Sequence, residues 1–305
     1  MSLLVVGSVA LDSVETPFDK VEDALGGSAT YISVAASYFS GPVHLVAVVG
    51  EDFPEEHIKM FEDHKIDLEG LQIIKGRETF RWSGKYHFDL NNRDTISTNL
   101  NVFEHFDPVI PEKAKKDKFV LLGNIQPALQ MSVLEQMDDP QFVVLDTMNL
   151  WINNTKDDLL KVLKKIDVLV INDSEARQLS EEPNLIKSAK IIMEMGPKYL
   201  IIKKGEHGAL LFGENQVFSA PAYPMENIYD PTGAGDTFLG GFTAYLHKTQ
   251  DVTFNNMKRA VIYGSSMASF CVEKFSTKGI EELDYLKIRD RFIEFRELSR
   301  FDEQI

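Results

Sequence analysis

The sequence predicts an α/β fold built on a mostly parallel, doubly wound sheet with helices on both faces. Three observations predict it. Short apolar runs at 3–6, 43–49, 119–123, 142–146, 168–171 and 199–203 have the length of buried strands. Helical patterns alternate with these runs, as parallel strands require. Finally, 79–88 mixes aromatic and polar residues in near alternation, as in a strand with two usable faces. The chain has 305 residues, 44% of them hydrophobic, which is enough for a sizeable core. No internal repeat or low-complexity tract divides it, so 1–305 is read as one domain.

Charge and cysteine content narrow the partners. Lys plus Arg number 32 against 47 Asp plus Glu, a net charge of -15. That disfavours nucleic acid and anionic membranes as partners. Cys271 is the single cysteine, so no intrachain disulfide forms, and a reducing, cytoplasmic location is expected. The apolar run at 3–6 has no basic residue before it and reads as a strand rather than a targeting segment. No apolar run is long enough to span a bilayer.

Taken in order, the first strand ends at Gly7, and Asp12 follows shortly after. An acidic residue past a strand's C-terminal end stands where open α/β sheets bind ligands. Gly26-Gly27 precedes a helical pattern over 28–39 that contains Tyr31. After 43–49 comes Gly50-Glu51-Asp52-Phe53, then a helix near 54–64. Asn91-Asn92-Arg93-Asp94 is a turn candidate within 71–102. Asn124-Ile125-Gln126-Pro127 closes the strand at 119–123, and Thr147-Met148-Asn149 closes the one at 142–146. At Asn172-Asp173-Ser174-Glu175 a helix start is predicted, with Asn172 or Ser174 as cap and Glu175 in the first turn. Lys203 ends the next strand, and Gly205-Glu206-His207-Gly208 makes a tight turn. Helices near 254–273 and 283–299 finish the chain.

The chain is organised around Asp230-Pro231-Thr232-Gly233-Ala234-Gly235-Asp236-Thr237-Phe238. Small residues at 233–235 let backbone N–H groups approach an anion. The apolar helix that follows aims its positive dipole end at the same point. Asp236 is poorly placed to bind phosphate there, and well placed to take a proton from a hydroxyl that attacks one. On local grounds alone Asp236 is equally a helix cap. No Gly-Lys-Ser/Thr follows, so this is not a Walker loop, and Phe238 stands where a dinucleotide fingerprint has its third Gly. Nor does that fingerprint follow Val5-Val6-Gly7, which disfavours a dehydrogenase.

This nine-residue stretch closely resembles the C-terminal signature of the ribokinase, or PfkB, family of sugar and nucleoside kinases. The resemblance implies a ribokinase-like fold with a small β lid from about 12–25 and 71–103. It implies transfer of the γ-phosphoryl of ATP to a sugar hydroxyl, with Asp236 as general base and Gly233, Ala234 and Gly235 as the anion hole. Asn172 and Glu175 match the family's Asn-x-x-Glu motif, which organises Mg²⁺ through waters. Asn172, Lys203, Gly205, Gly208 and Thr232 fall on the ATP side. Asp12, Gly26, Gly27, Tyr31 and Gln126 fall on the acceptor side. A monovalent cation, K⁺ in the family, is implied near Asp230 and Thr232. A lid with few strands has edges and a face to cover, so a homodimer through it is expected.

Departures from the pattern concentrate around the acceptor. Tyr31 stands where the family usually has Asn, and Gln126 where many members have Glu. Pro54 replaces a Gly after 50–53, and no Arg follows Asp146-Thr147-Met148-Asn149. No Arg/Lys cluster accompanies Asp12, Gly26 or Gln126, so neutral acceptors are expected over sugar phosphates; Arg81, Lys85 and Arg93 are the nearby cations. Two alternatives stay open. One is a nucleoside kinase, with Tyr31, Trp82, Tyr86 or Phe88 stacking on a base. The other is a non-catalytic sugar or nucleotide sensor, which the retained Asp236 disfavours.

Overall fold

The computed structural model describes residues 2–300. Alternation within the strands divides the core into two. In β1 (Leu3–Val6), Leu3 and Val5 enter one apolar cluster while Leu4 and Val6 enter another. The chain continues through β2 (Ala10–Glu15), β3 (Lys20–Gly26), α1 (Ser28–Ser37), β4 (Val43–Gly50), α2 (Glu55–Asp63) and β5 (Ile66–Ile74). Next come β6 (Arg81–Tyr86), β7 (Arg93–Asn99), β8 (Phe119–Leu122), α3 (Pro127–Gln136), β9 (Phe142–Asp146), α4 (Asn149–Asn154) and α5 (Lys156–Leu163). Then follow β10 (Val168–Asn172), α6 (Asp173–Ser180), α7 (Leu185–Glu194), β11 (Tyr199–Lys203), β12 (Ala209–Gly213) and β13 (Gln216–Ala220). The helices α8 (Ala234–Thr249), α9 (Phe254–Cys271) and α10 (Tyr285–Leu298) close the chain.

Nine strands form the large sheet in the order β13-β12-β11-β10-β9-β8-β1-β4-β5. The run from β11 to β5 is parallel, and only β12 and β13 are antiparallel. One face carries α1, α2, α8, α9 and α10, through Ile32, Phe61, Phe242, Met257 and Ile288. The other carries α3 to α7, through Val133, Ile152, Leu159, Ala176 and Ala189. Burial on both faces is why these strands read as unbroken apolar runs. α8 crosses α1 closely: a Cβ on Gly240 would lie 2.3 Å from the Ile32 carbonyl oxygen. That crossing fixes the signature helix against the sheet.

The second sheet has four strands, ordered β3-β2-β6-β7. It draws on 10–26 and 81–99, which corrects the expected span of 71–103 for the lid. Leu71 to Ile74 belong to β5 and pair with Ala47 to Gly50 at the edge of the large sheet. Residues 101–105 form a turn of 3₁₀ helix. Asp52 ties the two sheets together. Its carboxylate accepts from the Thr79 N–H and hydroxyl, each at 2.7 Å, and from Arg81 Nη2 at 2.6 Å. The Gly50 N–H donates in turn to Thr79 Oγ1 at 3.0 Å. Thus the Gly50–Phe53 turn, where Pro54 departs from the family pattern, is the base of the small sheet. β7 is exposed along its whole length.

Candidate active site

Parallel strands bring their C-terminal ends to one edge, and the site is built there. Asp146 ends β9, Asn172 ends β10 and Lys203 ends β11, with Asn172 directly opposite Lys203. Asp146 and Glu175 are buried. Lys203 Nζ stands 3.6 Å from Asp146 Oδ1. Burial pushes the Lys203 ammonium down, but Asp146, Glu175 and Asp236 outweigh it and hold it above its ordinary range. The same burial raises the Asp146 carboxyl against the pull of Lys203.

The signature turn faces this group. Gly233 takes φ 76, a left-handed conformation that glycine adopts without strain. Tyr31 packs beneath it: a Cβ on Gly233 would lie 2.4 Å from the Tyr31 ring. Tyr31 is therefore a wall of the turn, 2% exposed, and its ring is not free to stack on an acceptor. The Ala234 N–H turns to the Pro231 carbonyl at 3.3 Å. Among the described residues, the N–H groups of Gly233 and Gly235 have no backbone acceptor. Two of the three expected anion-hole donors are thus free. Lys203 leans over the same spot, since a Cβ on Gly235 would meet its Nζ at 2.7 Å.

Asp236 sits in the first turn of α8, yet it caps nothing. Its Oδ1 is buried and has no hydrogen-bond partner. An unpartnered buried carboxylate oxygen is costly and calls for an explanation. Burial, then the nearby Asp146, push this carboxyl up to about 7, against Lys203 and Arg93. A carboxylate poised there can accept a proton from a hydroxyl near neutral pH.

Glu175 is arranged differently. The Asn172 side chain accepts from the Glu175 N–H, and Glu175 Oε2 accepts from the Asn172 N–H, both at 2.8 Å. This is the reciprocal capping box that Asn-Asp-Ser-Glu predicts, with Asn172 rather than Ser174 as cap. Burial and Asp146 push the Glu175 carboxyl up to about 7.

Asp12, expected on the acceptor side, is buried and lies against Gly26, where a Cβ would meet Asp12 Oδ2 at 2.0 Å. Desolvation pushes its carboxyl up to about 7, despite the Gly27 N–H. Gly27 itself takes φ 90 and enters α1. Gln126 is exposed at the N-terminus of α3 and makes no cap bond. Its neighbour Asn124 instead accepts from Trp151 Nε1 at 2.8 Å.

Three features had no local signal. Thr232 Oγ1 donates to the Tyr86 hydroxyl at 3.2 Å, which joins the small sheet to the signature. Asn91 Nδ2 donates to Glu206 Oε2 at 2.6 Å, which joins the β6–β7 turn to the Gly205–Gly208 turn. Arg93 lies over Trp82 and Tyr86. Trp82 itself lies across Gly84, where a Cβ would meet its ring at 2.1 Å. Trp82 thus has both the Gly84 backbone and the Arg93 guanidinium as neighbours. Phe88 is 84% exposed at the hairpin turn. Trp82 is the strand partner of Asp12 in the β2–β6 pairing.

The residues present suit a divalent cation held sparingly. Among the described residues, no three His, Cys, Asp or Glu side chains converge on one metal position. Mg²⁺ keeps most of its waters and needs only one or two carboxylates beside substrate phosphates. Asp146 and Glu175, buried and oxygen-rich, meet that need. A monovalent cation at Asp230 and Thr232 fits less well. Asp230 already accepts from the Thr232 N–H at 2.9 Å and the Ser276 N–H at 3.1 Å. Cys271 Sγ reaches the Thr232 carbonyl at 3.5 Å.

The chain is similar to known kinases in sequence and in fold. A family model described as pfkB family carbohydrate kinase matches residues 2–282. A cytidine kinase of Thermococcus kodakarensis is 27% identical over 248 residues, covering 80% of this chain and 88% of that protein. A nucleoside kinase of Burkholderia thailandensis, solved with inosine, superposes with a TM-score of 0.79 at 19% identity, covering 96% of each chain. Aminoimidazole riboside kinase of Salmonella enterica, solved with its riboside and an ATP analogue, gives 0.76 at 16% identity, covering 96% of this chain and 100% of that one. At such identities the structures establish a shared fold. No helix among the described residues is long and apolar enough to cross a membrane.

Proposed function

The chain belongs to the pfkB family of carbohydrate kinases, and on that premise we propose that it transfers the γ-phosphoryl of ATP to a hydroxyl of a neutral sugar. The observation that carries the proposal is the buried, unpartnered Oδ1 of Asp236 beside the free N–H groups of Gly233 and Gly235. Phosphoryl transfer needs in-line positioning, charge neutralisation and a base for the attacking hydroxyl. Asp12, with Gly26 and Gly27, holds the acceptor, since a carboxylate accepts from two hydroxyls. Asp236 takes the proton of the attacking hydroxyl. The Gly233 and Gly235 N–H groups, with the Lys203 ammonium, receive the charge on the transferring group. Lys203, Asn172, Gly205, Gly208 and Thr232 line the ATP side. Asp146 and Glu175 would hold Mg²⁺ together with its waters, and the ion would supply charge neutralisation at the phosphates.

A nucleoside acceptor is the second proposal, and one observation favours it. The cytidine kinase relative matches along most of both chains. The sugar of a nucleoside presents the same hydroxyl chemistry to Asp12 and Asp236. The test is an ADP-coupled assay with ATP, Mg²⁺ and a panel of pentoses, hexoses, ribonucleosides and hexose monophosphates. Turnover of a neutral sugar or nucleoside is expected. Turnover confined to a hexose monophosphate would overturn the neutral acceptor, and no acceptor-dependent ADP release would overturn the activity.

A further inference from the structure

The strands of the small sheet carry four cations, and three of them end on carboxylates. Lys20 meets Glu22 at 2.9 Å, Arg81 meets Asp23 at 2.7 Å and Asp52 at 2.6 Å, and Lys85 meets Glu15 at 2.5 Å. Arg93 differs. Among the described residues it has no carboxylate within 4.0 Å. Its guanidinium instead lies 5.4 Å from the Trp82 ring centre and 5.9 Å from that of Tyr86. An aromatic bed holds a guanidinium in place while leaving N–H groups for other partners; one of them serves the Tyr86 hydroxyl, and no carboxylate among the described residues takes the rest.

The hairpin that carries Arg93 is pinned on both sides of it. Tyr86, its cross-strand partner, accepts from Thr232 of the signature. Asn91, two residues earlier, donates to Glu206 of the nucleotide-side turn, and its side-chain oxygen lies 2.7 Å from where a Cβ on Gly205 would stand. Arg93 is therefore suspended between the signature turn and the nucleotide-side turn. Its positive field reaches Asp236, Asp12 and Glu175 together, and pulls each carboxyl down against its burial. These three carboxylates surround the path between donor and acceptor.

We propose that Arg93 is a catalytic residue whose guanidinium contacts the phosphoryl group in transit between ATP and the acceptor. This rests on the kinase activity proposed above. In the step, the acceptor oxygen forms the new P–O bond and passes its proton to Asp236. The bond from the γ-phosphorus to the bridging oxygen breaks, and its electron pair leaves with ADP. Arg93 donates hydrogen bonds to the equatorial oxygens and takes no proton. A bidentate arginine suits that charge, and a lysine serves less well.

The test compares Arg93→Ala and Arg93→Lys with the parent protein. Lys85→Ala is the control, removing an equal charge from an ion pair on the same sheet. Turnover is measured with the best acceptor of the panel, and affinity is measured for Mg²⁺–ADP with and without aluminium fluoride. Arg93→Ala is expected to lower kcat by roughly 10³-fold, the lower end for an arginine that meets the transferring phosphoryl. It should weaken the fluoride complex at least about tenfold while leaving Mg²⁺–ADP affinity within about twofold. Arg93→Lys should fall between, and Lys85→Ala should match the parent. A folded Arg93→Ala with parental kcat would overturn the proposal. So would an equal loss of ADP affinity with and without fluoride, or a loss confined to the acceptor KM, which would make Arg93 an acceptor-side contact. Should Arg93→Ala melt below the assay temperature, Arg93→Gln takes its place under the same criteria. A parent protein without acceptor-dependent turnover fails the kinase activity itself, a result distinct from an active parent whose arginine variants are unimpaired.

Discussion

Asp236 and Glu175 occupy similar positions and are treated differently by the fold. Each lies in the first turn of a helix at the C-terminal edge of the large sheet. Burial pushes each carboxyl up to about 7. Glu175 is fixed by a reciprocal pair of 2.8 Å hydrogen bonds with Asn172. Asp236 leaves Oδ1 buried and unpartnered. A helix start can thus use its acid to hold the backbone or leave it free for chemistry. Glu175 holds the backbone through Oε2, whereas Asp236 Oδ1 holds nothing.

The sharpest way to break this contrast is Asp236→Asn. The substitution keeps the shape and removes proton acceptance, so kcat should fall by roughly 10²–10⁴. The melting temperature should hold or rise, because no cap bond is lost and a buried carboxyl is replaced by a neutral amide. ATP affinity should change little if, as proposed, backbone N–H groups and not this carboxylate meet the phosphates. Steady-state kcat, ATP Kd and a melting curve on one preparation decide it. A folded variant that keeps more than about a tenth of parental kcat would remove Asp236 from the role of base.

Glu175→Gln should act more mildly and on a different quantity. Gln in this place still accepts from the Asn172 N–H, so the helix start survives. The lost charge should weaken the apparent Mg²⁺ affinity about 10–100-fold, the usual cost of disturbing the groups around a metal. A Mg²⁺ titration of turnover reads this directly. Unchanged metal dependence would leave Glu175 with its structural duty alone.

The pH profile sharpens the comparison further. Asp236 must be ionised to act, and its carboxyl lies at about 7. On the acid side kcat/KM should therefore fall as pH drops below about 7, and Asp236→Asn should make that limb shallower, with Asp12 and Glu175 still titrating. Stability runs the other way. The folded protein holds protons on Asp12, Glu175 and Asp236 that the unfolded chain releases near 3.8 for Asp and 4.5 for Glu. That contribution is full below those values and is lost as pH rises through about 7. Without ATP or metal, the melting temperature attributable to these groups should decline across that window. Asp236→Asn should decline less, and an equal decline would mean that Asp236 ionises in the folded protein as freely as in the unfolded chain.

The smallest effect belongs to the cap. Asn172→Ala removes the acceptor for the Glu175 N–H and should destabilise by about 1 kcal/mol, as losing such a cap usually does. Denaturant unfolding measures it. The corresponding helix start at Gly233 has no side-chain cap to lose. An unchanged midpoint in Asn172→Ala would mean that the capping box contributes nothing beyond solvation.

Much of the fold was legible because its signals are local. A strand buried on both faces must be continuously apolar, and the six apolar runs all became parallel strands of the large sheet. The Asn172 cap and the glycine-rich start of α8 follow from which backbone groups a helix end leaves unpaired. Legibility ended where a residue's role depends on what lies opposite. Leu71 to Ile74 alternate like the small sheet, yet they pair with β4, because only the assembled sheet offers that edge. Tyr31 resembled an acceptor contact in chain position, and packing beneath Gly233 made it a wall.

The sequence by itself determined the parallel sheet, the signature turn and the carboxylate beside it, because propensity, capping and turn chemistry act over a few residues. Tertiary structure alone decided which cations and hydroxyls reach that carboxylate. Thr232 meets Tyr86 across 146 positions of the chain, and Asn91 meets Glu206 across 115. Closing such distances costs chain entropy that no local pattern encodes. The packed sheets offset that cost, and in doing so they hold the Arg93 hairpin against both the signature turn and the Gly205–Gly208 turn.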